Sequence, residues 1–108
     1  MAQFTSDGLT ITFDDSGPPM PPTAGNRKLL EMYDAVSRDL GFGAMTAVDP
    51  RRAGAADISY AADYVEMALD GVGLLGSGNH TPDEVADLRT LQIQAQRLAV
   101  VLLRLEKR

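Results

Sequence analysis

The single histidine of the chain lies in a glycine-rich stretch, residues 76–84, that reads GSGNHTPDE. His80 is followed by a Thr-Pro pair and Glu84, a pattern typical of a capped helix start, so the stretch predicts a turn that presents the imidazole beside a helix. Loops between strand ends and helices are where α/β proteins place functional groups. A lone histidine is more often a satisfied polar residue, and His80, Asp83 and Glu84 alone do not supply three or four converging zinc ligands. The residues leave both interpretations open.

Immediately upstream, residues 71–76 read GVGLLG and match the glycine spacing of dinucleotide-binding loops. Glycines in such loops let the backbone approach a pyrophosphate at a helix N-terminus. The match is weak, because Gly78 and Pro82 interrupt a helix at once, and Gln96 and Arg97 stand where an acidic residue is wanted. A plain glycine-rich turn is the favoured interpretation.

A second group of candidates begins at Arg51, which precedes an alanine- and glycine-rich turn and Asp57. A guanidinium offers parallel N–H donors that match a carboxylate, so Arg51 suits an anionic substrate, and a solvated surface charge is an equally good interpretation. Asp57 stands where a helix is predicted to begin, which is more typical of a helix cap than of a catalytic acid.

Length and composition exclude several classes of protein. A chain of 108 residues forms at most one domain, and 44% apolar with 23% charged residues is ordinary for a folded protein. The net charge of -5 opposes nucleic-acid binding, which needs a clustered basic surface. There is no cysteine, hence no disulfide or thiolate chemistry, and no apolar run suits an export signal or a membrane span. We expect a cytoplasmic protein with no nucleic-acid or membrane partner.

Hydrophobic periodicity predicts a small α/β fold, with a sheet of about three short strands and three helices. Leu9, Ile11 and Phe13 alternate with polar residues, as in a half-buried strand, before a proline-rich hinge. Further short strands are predicted at residues 44–48 and within 65–75. The predicted helices run from Ala24 to Leu40, from about Asp57 to Tyr64, and along the C-terminus.

The C-terminal helix is the clearest predicted element, since leucine and alanine recur at alternating spacings of three and four. Such a stripe predicts an amphipathic helix with its apolar face in the core, and a short coiled-coil seam is the alternative. The stripe consists of Leu88, Leu91, Ala95, Leu98, Leu102 and Leu105.

Taken in order, these segments resemble the C-terminal end of the aminoacylase and glutamate carboxypeptidase family of co-catalytic zinc exopeptidases. Residues 78–84 are similar to that family's last metal-ligand motif, a glycine-rich loop, then His, then Ser or Thr, then an acidic residue. Residues 51–57 resemble its arginine, glycine cluster and aspartate before a short helix. By this resemblance, residues 1–15 are a strand at the end of a lid or dimerisation domain, 16–23 a hinge, and 24–108 the C-terminal part of a catalytic domain.

The resemblance implies roles for four residues. His80 matches the ligand that completes the coordination of one zinc ion. Arg51 matches an arginine that binds a substrate carboxylate, and Gly54 and Asp57 match the turn beside that arginine. The remaining metal ligands and the general base lie earlier in relatives and have no counterpart in this sequence. We therefore expect no catalytic residue here, and zinc in the complete family enzyme rather than on this chain alone.

Two functional hypotheses follow. The first is a C-terminal segment of a zinc-dependent metallopeptidase, like a carboxypeptidase or an N-acyl amino acid deacylase, that is incomplete and inactive alone. The alternative is a stand-alone, non-catalytic α/β module for dimerisation or interaction. Unpaired strand edges and uncovered apolar faces predict a partner in both cases, either a second copy in a homodimer or the missing N-terminal catalytic portion.

Overall fold

A computed structural model of the chain describes residues 2–13 and 18–108. It contains three α-helices and four short strands, so the predicted combination of helices and strands is confirmed for the described residues. In chain order, the elements are β1 (Ala2–Ser6), β2 (Leu9–Phe13), α1 (Ala24–Asp39), α2 (Asp57–Ala61), β3 (Gly76–Ser77), β4 (Val85–Ala86) and α3 (Arg89–Glu106).

The strands form two separate antiparallel pairs, β1 with β2 and β3 with β4, and not the single sheet that the sequence predicts. Strand β2 has the predicted bounds, and its partner β1 was missed. The two strands join at Asp7 and Gly8, which both have positive φ as a tight hairpin turn requires. Ile11 is exposed, so this face of the hairpin is not covered by the described residues.

Helix α1 begins and ends where its sequence places capping groups. The Thr23 hydroxyl accepts a hydrogen bond from the Asn26 N–H at 3.1 Å. At the other end Gly41 has a φ of 79°, and the Phe42 N–H donates to the Ser37 carbonyl at 2.9 Å, as in a Schellman motif. The sequence therefore predicted both ends of this helix to within one residue.

The core lies between α1 and α3 and is small. Its buried apolar residues are Tyr33, Val36 and Val101, with half-buried leucines, methionines and valines packed around them. The face of α3 that packs against α1 contains both polar and apolar residues, since Gln94 and Arg97 are buried beside Val101. The prediction that the leucine stripe forms the core face is only partly correct. Leu98 and Leu105 are half-buried, whereas Leu88, Leu91 and Leu102 are exposed by 73%, 57% and 56%.

Gly25 lies where α1 approaches the backbone near Glu66, and a Cβ atom built on it would collide with the Glu66 carbonyl. We expect Gly25→Ala to lower the free energy of unfolding by about 1–3 kcal/mol, because one backbone must move away. Urea unfolding followed by helical circular dichroism measures the change. The matched control is Gly73→Ala, whose Cβ meets no atom within 4 Å. If Gly25→Ala stabilises the protein, as the same change does in a solvent-exposed helix, then α1 does not approach the backbone at Glu66 this closely.

Two of the predicted strands are absent. Residues 44–48 form no ladder, and the Met45 N–H donates instead to the Asp34 carboxylate at 2.7 Å. Residues 65–75 also lack a ladder among the described residues, and Gly71 there has a φ of 76°. The prediction of strands was wrong in both places because a strand needs a neighbour, and local sequence pattern does not reveal whether one is present.

The molecule is extended for its length. Its radius of gyration is 17.8 Å and its principal extents are 59 × 35 × 19 Å. A compact domain of the same length is expected to have a radius of gyration of about 13 Å. Among the described helices, none is both long and apolar enough to cross a membrane. The predicted hinge, residues 16–23, falls partly outside the described residues, since 16 and 17 are not described.

Candidate functional site

The candidate ligand His80 lies in the turn between β3 and β4. The Thr81 hydroxyl holds this turn, because it donates to the Gly78 carbonyl at 2.6 Å and accepts from the Asp83 N–H at 3.2 Å. The predicted helix start after Thr81 is wrong: residues 81–84 continue the turn into β4, and α3 begins at Arg89. Thr81 therefore acts as a turn residue instead of a helix cap.

The backbone of His80 is left-handed, with a φ of 65°. This conformation is uncommon for a residue with a side chain and costs about 1–2 kcal/mol. The imidazole is exposed and makes no hydrogen bond within the described part of the chain. It lines a shallow cavity of about 510 Å³ whose other lining residues are Leu74, Leu75, Gly76, Asn79, Glu84, Val85 and Ala86. The turn thus presents an imidazole without a hydrogen-bond partner at a concave surface, in a backbone conformation that glycine would adopt more easily.

The left-handed backbone at His80 predicts how two substitutions there change the free energy of unfolding. We expect His80→Gly to raise the free energy of unfolding by about 1 kcal/mol relative to His80→Ala, because glycine relieves the left-handed strain and alanine keeps it. Paired urea titrations of the two variants measure the difference. Equal stabilities would contradict the left-handed backbone at this position.

Arg51 lies on a short 3₁₀ turn, Pro50–Arg52, and is paired with Asp49. Its guanidinium donates to the Asp49 carboxylate at 2.7 Å, and its side chain is 90% exposed. The Arg51 guanidinium and backbone N–H lower the pKa of Asp49. Asp49 occupies the Nε edge of the guanidinium, and the Nη1 group, which makes no hydrogen bond among the described residues, remains available to a second carboxylate.

Gly54 and Asp57, the two candidates that follow Arg51 in the sequence, lie in different surroundings from each other and from His80. Gly54 lines a second cavity, an apolar groove beside α1, whereas His80 lines the first cavity. Asp57 is the first residue of α2, where its negative charge suits the helix N-terminus, and Ala56 holds the capping position predicted for it. Arg51 and Asp57 line neither cavity, so the structure does not gather the four candidates into one site.

The glycine string at residues 71–76 opens no helix, so the structure gives no support to a dinucleotide loop. Its carbonyls instead bind a residue that the sequence did not single out. The Gln94 amide donates to the Gly71 and Gly73 carbonyls at 3.1 and 2.9 Å, and its oxygen accepts from the Tyr33 hydroxyl at 2.7 Å. Gln94 therefore ties α1, α3 and the glycine string together.

A buried guanidinium completes this polar cluster. Arg97 donates to the Ser37 hydroxyl at 3.0 Å and to Gln94 at 3.1 Å, and it lies 5.3 Å from the Phe42 ring centroid. These neutral acceptors satisfy the cation without a carboxylate, and the aromatic face adds to its stabilisation. The sequence pattern does not reveal this role, because amphipathic periodicity assigns apolar residues, not an arginine, to the buried face of a helix.

Burial raises the pKa of the Tyr33 phenol, and the nearby charge of Arg97 partly opposes that shift. A phenol whose folded pKa lies above its unfolded value contributes stability below about pH 10, and this contribution is lost as pH rises further. We expect Tyr33→Phe to lower stability by about 1 kcal/mol at pH 7 and to lose less stability between pH 7 and alkaline pH than the parent. Urea unfolding at both pH values tests this, and parallel losses in the two proteins would contradict it.

Within residues 2–13 and 18–108, no group of three or more His, Asp or Glu side chains converges in a way that could hold a metal ion. A zinc site at His80 would need further ligands from outside the described residues. No protein-family model, curated protein or solved structure matches the chain.

Proposed function

We propose that the chain is the C-terminal segment of a zinc-dependent metallopeptidase, similar to a carboxypeptidase or an N-acyl amino acid deacylase, and is active only when joined by the portion that carries the remaining ligands. The observation that carries the proposal is the turn at His80. The tight turn between β3 and β4 holds the His80 backbone in the left-handed region and presents at a concave surface an exposed imidazole that has no hydrogen-bond partner among the described residues.

The small core supports an incomplete fold. The buried apolar residues within the described part of the chain are Tyr33, Val36, Ala68 and Val101. A stand-alone domain of this length ordinarily buries well over half of the surface that its unfolded chain exposes. The large radius of gyration is consistent with this, because the β1–β2 hairpin packs against no other helix or strand among the described residues. Both features are expected of a segment cut from a larger catalytic domain.

In the proposed complete enzyme, zinc would polarise the scissile carbonyl and activate water, and His80 would supply one ligand. Arg51 would bind the substrate carboxylate through its free Nη1 group, with Gly54 and Asp57 shaping the turn beside it. Glu84 lines the same cavity as His80.

The isolated chain tests the proposal. We expect no hydrolysis of peptides or N-acyl amino acids at any zinc concentration, because one ligand cannot hold a co-catalytic pair. Addition of the N-terminal portion of a complete enzyme of this family should be required for turnover. Turnover by the isolated chain that disappears on changing His80 would refute the proposal. An adjacent reading frame that encodes the missing ligands would support a split enzyme.

The second candidate function is a non-catalytic dimerisation module, and a specific surface favours it. Leu88, Leu91, Ala95 and Leu102 form an exposed apolar row along α3, which we call the outer stripe. A row on one helix can pair with the same row of a second copy in a symmetric dimer. A homodimer that forms without any catalytic portion, and an absence of ligand-bearing frames beside the gene, would favour this candidate.

A further inference from the structure

We propose that the apolar groove beside α1 binds an unbranched fatty carboxylate, with its hydrocarbon chain along the groove and its carboxylate at Arg27 and Arg52. The groove is a different cavity from the one that His80 lines, and neither arginine has a role in the proposed metallopeptidase. The inference therefore goes beyond that function and does not depend on it.

The groove has the size and the surface of a small-molecule site. Its volume is about 750 Å³, and ligand pockets in proteins ordinarily measure about 300–1,000 Å³ with mainly apolar walls. Its walls come from α1, the proline segment before α1 and the loops on either side of α2. The apolar side chains that line it include Leu30, Met45, Val48, Ile58 and Leu69. A hydrocarbon chain would cover this apolar surface.

The buried polar side chains of the lining already have partners within the chain. The Asn26 side-chain amide donates to the Pro21 carbonyl at 2.9 Å, and its oxygen accepts from the Ala68 N–H at 2.7 Å. The Ser59 hydroxyl accepts from the Ala56 N–H at 3.2 Å. The inner wall therefore offers mainly apolar surface, and a polar group buried there would lose water without gaining a partner. This favours a plain hydrocarbon chain over one interrupted by an amide.

Two unpaired cations lie along the groove. Arg27 and Arg52 both line it and are exposed, and neither guanidinium makes a hydrogen bond or an ion pair within the described residues. Other exposed arginines are each paired with an aspartate, namely Arg38, Arg51, Arg89 and Arg104. An unpaired guanidinium presents parallel N–H donors that match a carboxylate. The polar end of the ligand is therefore an anion.

The charge of the groove is opposite in sign to that of the whole chain. Its charged lining residues are Arg27, Arg52 and Asp70, two positive and one negative, which leaves one positive charge in excess. The chain as a whole carries a net charge of -5. Since an acidic protein repels anions in general, a local excess of positive charge beside an apolar surface favours an anion at this place. One carboxylate on a hydrocarbon chain matches both properties.

Methionine methyl NMR of the 108-residue chain, with sodium decanoate as the probe, tests where the ligand binds. Met20 and Met45 line the groove, whereas Met32 and Met67 do not. Decanoate should shift the methyl signals of Met20 and Met45 with saturation at one ligand per chain, and leave those of Met32 and Met67 in place. Decanoate should bind about tenfold more tightly than octanoate, because two more methylene groups leave water.

Decyltrimethylammonium is the matched probe, with the same hydrocarbon chain and the opposite charge. The net charge of -5 favours this cation at a nonspecific apolar surface, whereas the groove should bind decanoate at least about tenfold more tightly. Arg27→Gln with Arg52→Gln should remove this preference, because each exposed ion pair contributes up to about fivefold. The control is Lys28→Gln with Lys107→Gln, which removes two exposed charges outside the groove and should retain the preference.

Four outcomes overturn the site. Equal shifts at all four methionines would indicate adsorption to exposed apolar surface. Equal affinity for the two probes, or a preference for decanoate that survives in the arginine double variant, would refute the contact of the carboxylate with Arg27 and Arg52. Tighter binding of N-decanoylglycine than of decanoate would refute the plain hydrocarbon chain. Shifts of Met20 and Met45 on concentrating the chain alone would mean that a second copy fills the groove. Because none of these measurements involves zinc, each of these outcomes leaves the proposed metallopeptidase standing.

Discussion

Replacing His80 with alanine in the assembled enzyme is expected to lower kcat/KM by more than about 100-fold, because loss of a direct metal ligand should exceed the 10- to 100-fold effect of losing an outer-shell partner. Zinc content should fall at the same time, since His80 would complete the coordination of one ion. Steady-state hydrolysis of an N-acyl amino acid and metal analysis of the purified assembly measure the two effects.

The matched control for this experiment is Asn79→Ala. Asn79 is the exposed neighbour of His80 in the same turn and lines the same cavity, but it is not a proposed ligand. It should leave the zinc content unchanged and alter kcat/KM only modestly. Full activity and full zinc content in the His80→Ala assembly would contradict the role of His80, whereas equal losses in both variants would mean that the turn matters only for its shape.

The double variant Leu91→Glu with Leu102→Glu is expected to convert the self-associated chain to monomer. Both leucines are just over half exposed on the outer stripe, so burying the remaining surface of each contributes about 1 kcal/mol, and a symmetric dimer buries both leucines of both copies. Their loss should therefore weaken self-association at least about 100-fold, since each 1.4 kcal/mol is a factor of ten. Sedimentation equilibrium over a range of chain concentrations gives the dissociation constants.

The control for that experiment places the same two negative charges elsewhere on α3. Gln92 and Gln96 are exposed polar residues of the same helix outside the outer stripe, so Gln92→Glu with Gln96→Glu should leave self-association within a few-fold of the parent. Equal weakening by both double variants would attribute the effect to net charge. No weakening by the Leu91 and Leu102 changes would show that the chain associates through another surface, such as the groove beside α1.

Local sequence predicted the helices well because their signals are local. Thr23 and Gly41 bound α1 by capping, and apolar periodicity marks α3. The strands were predicted poorly because pairing depends on distant or absent partners. Residues 44–48 and 65–69 have strand-like composition and no ladder in the described chain, whereas β3 and β4 are two-residue pairs created by the turn that holds His80.

For the candidate site, the sequence located His80 and its glycine turn but not the geometry around them. Its left-handed backbone follows from the whole turn between β3 and β4, which no single residue signals. The buried roles of Gln94 and Arg97 were not predicted, because each occupies a face of α3 that periodicity assigns to apolar residues. The pairing of Arg51 with Asp49 could have been suspected, since the two charges lie two residues apart.

We propose that this chain does not close its own core and is one part of a shared fold. Light scattering of the purified 108-residue chain at micromolar concentration, combined with urea unfolding of the same sample, tests this proposal. We expect dimers or larger species, and a shallow unfolding transition because little apolar surface is buried in the single chain. A monodisperse monomer that unfolds in one steep, cooperative transition would show that the chain completes its own core and is not part of a shared fold.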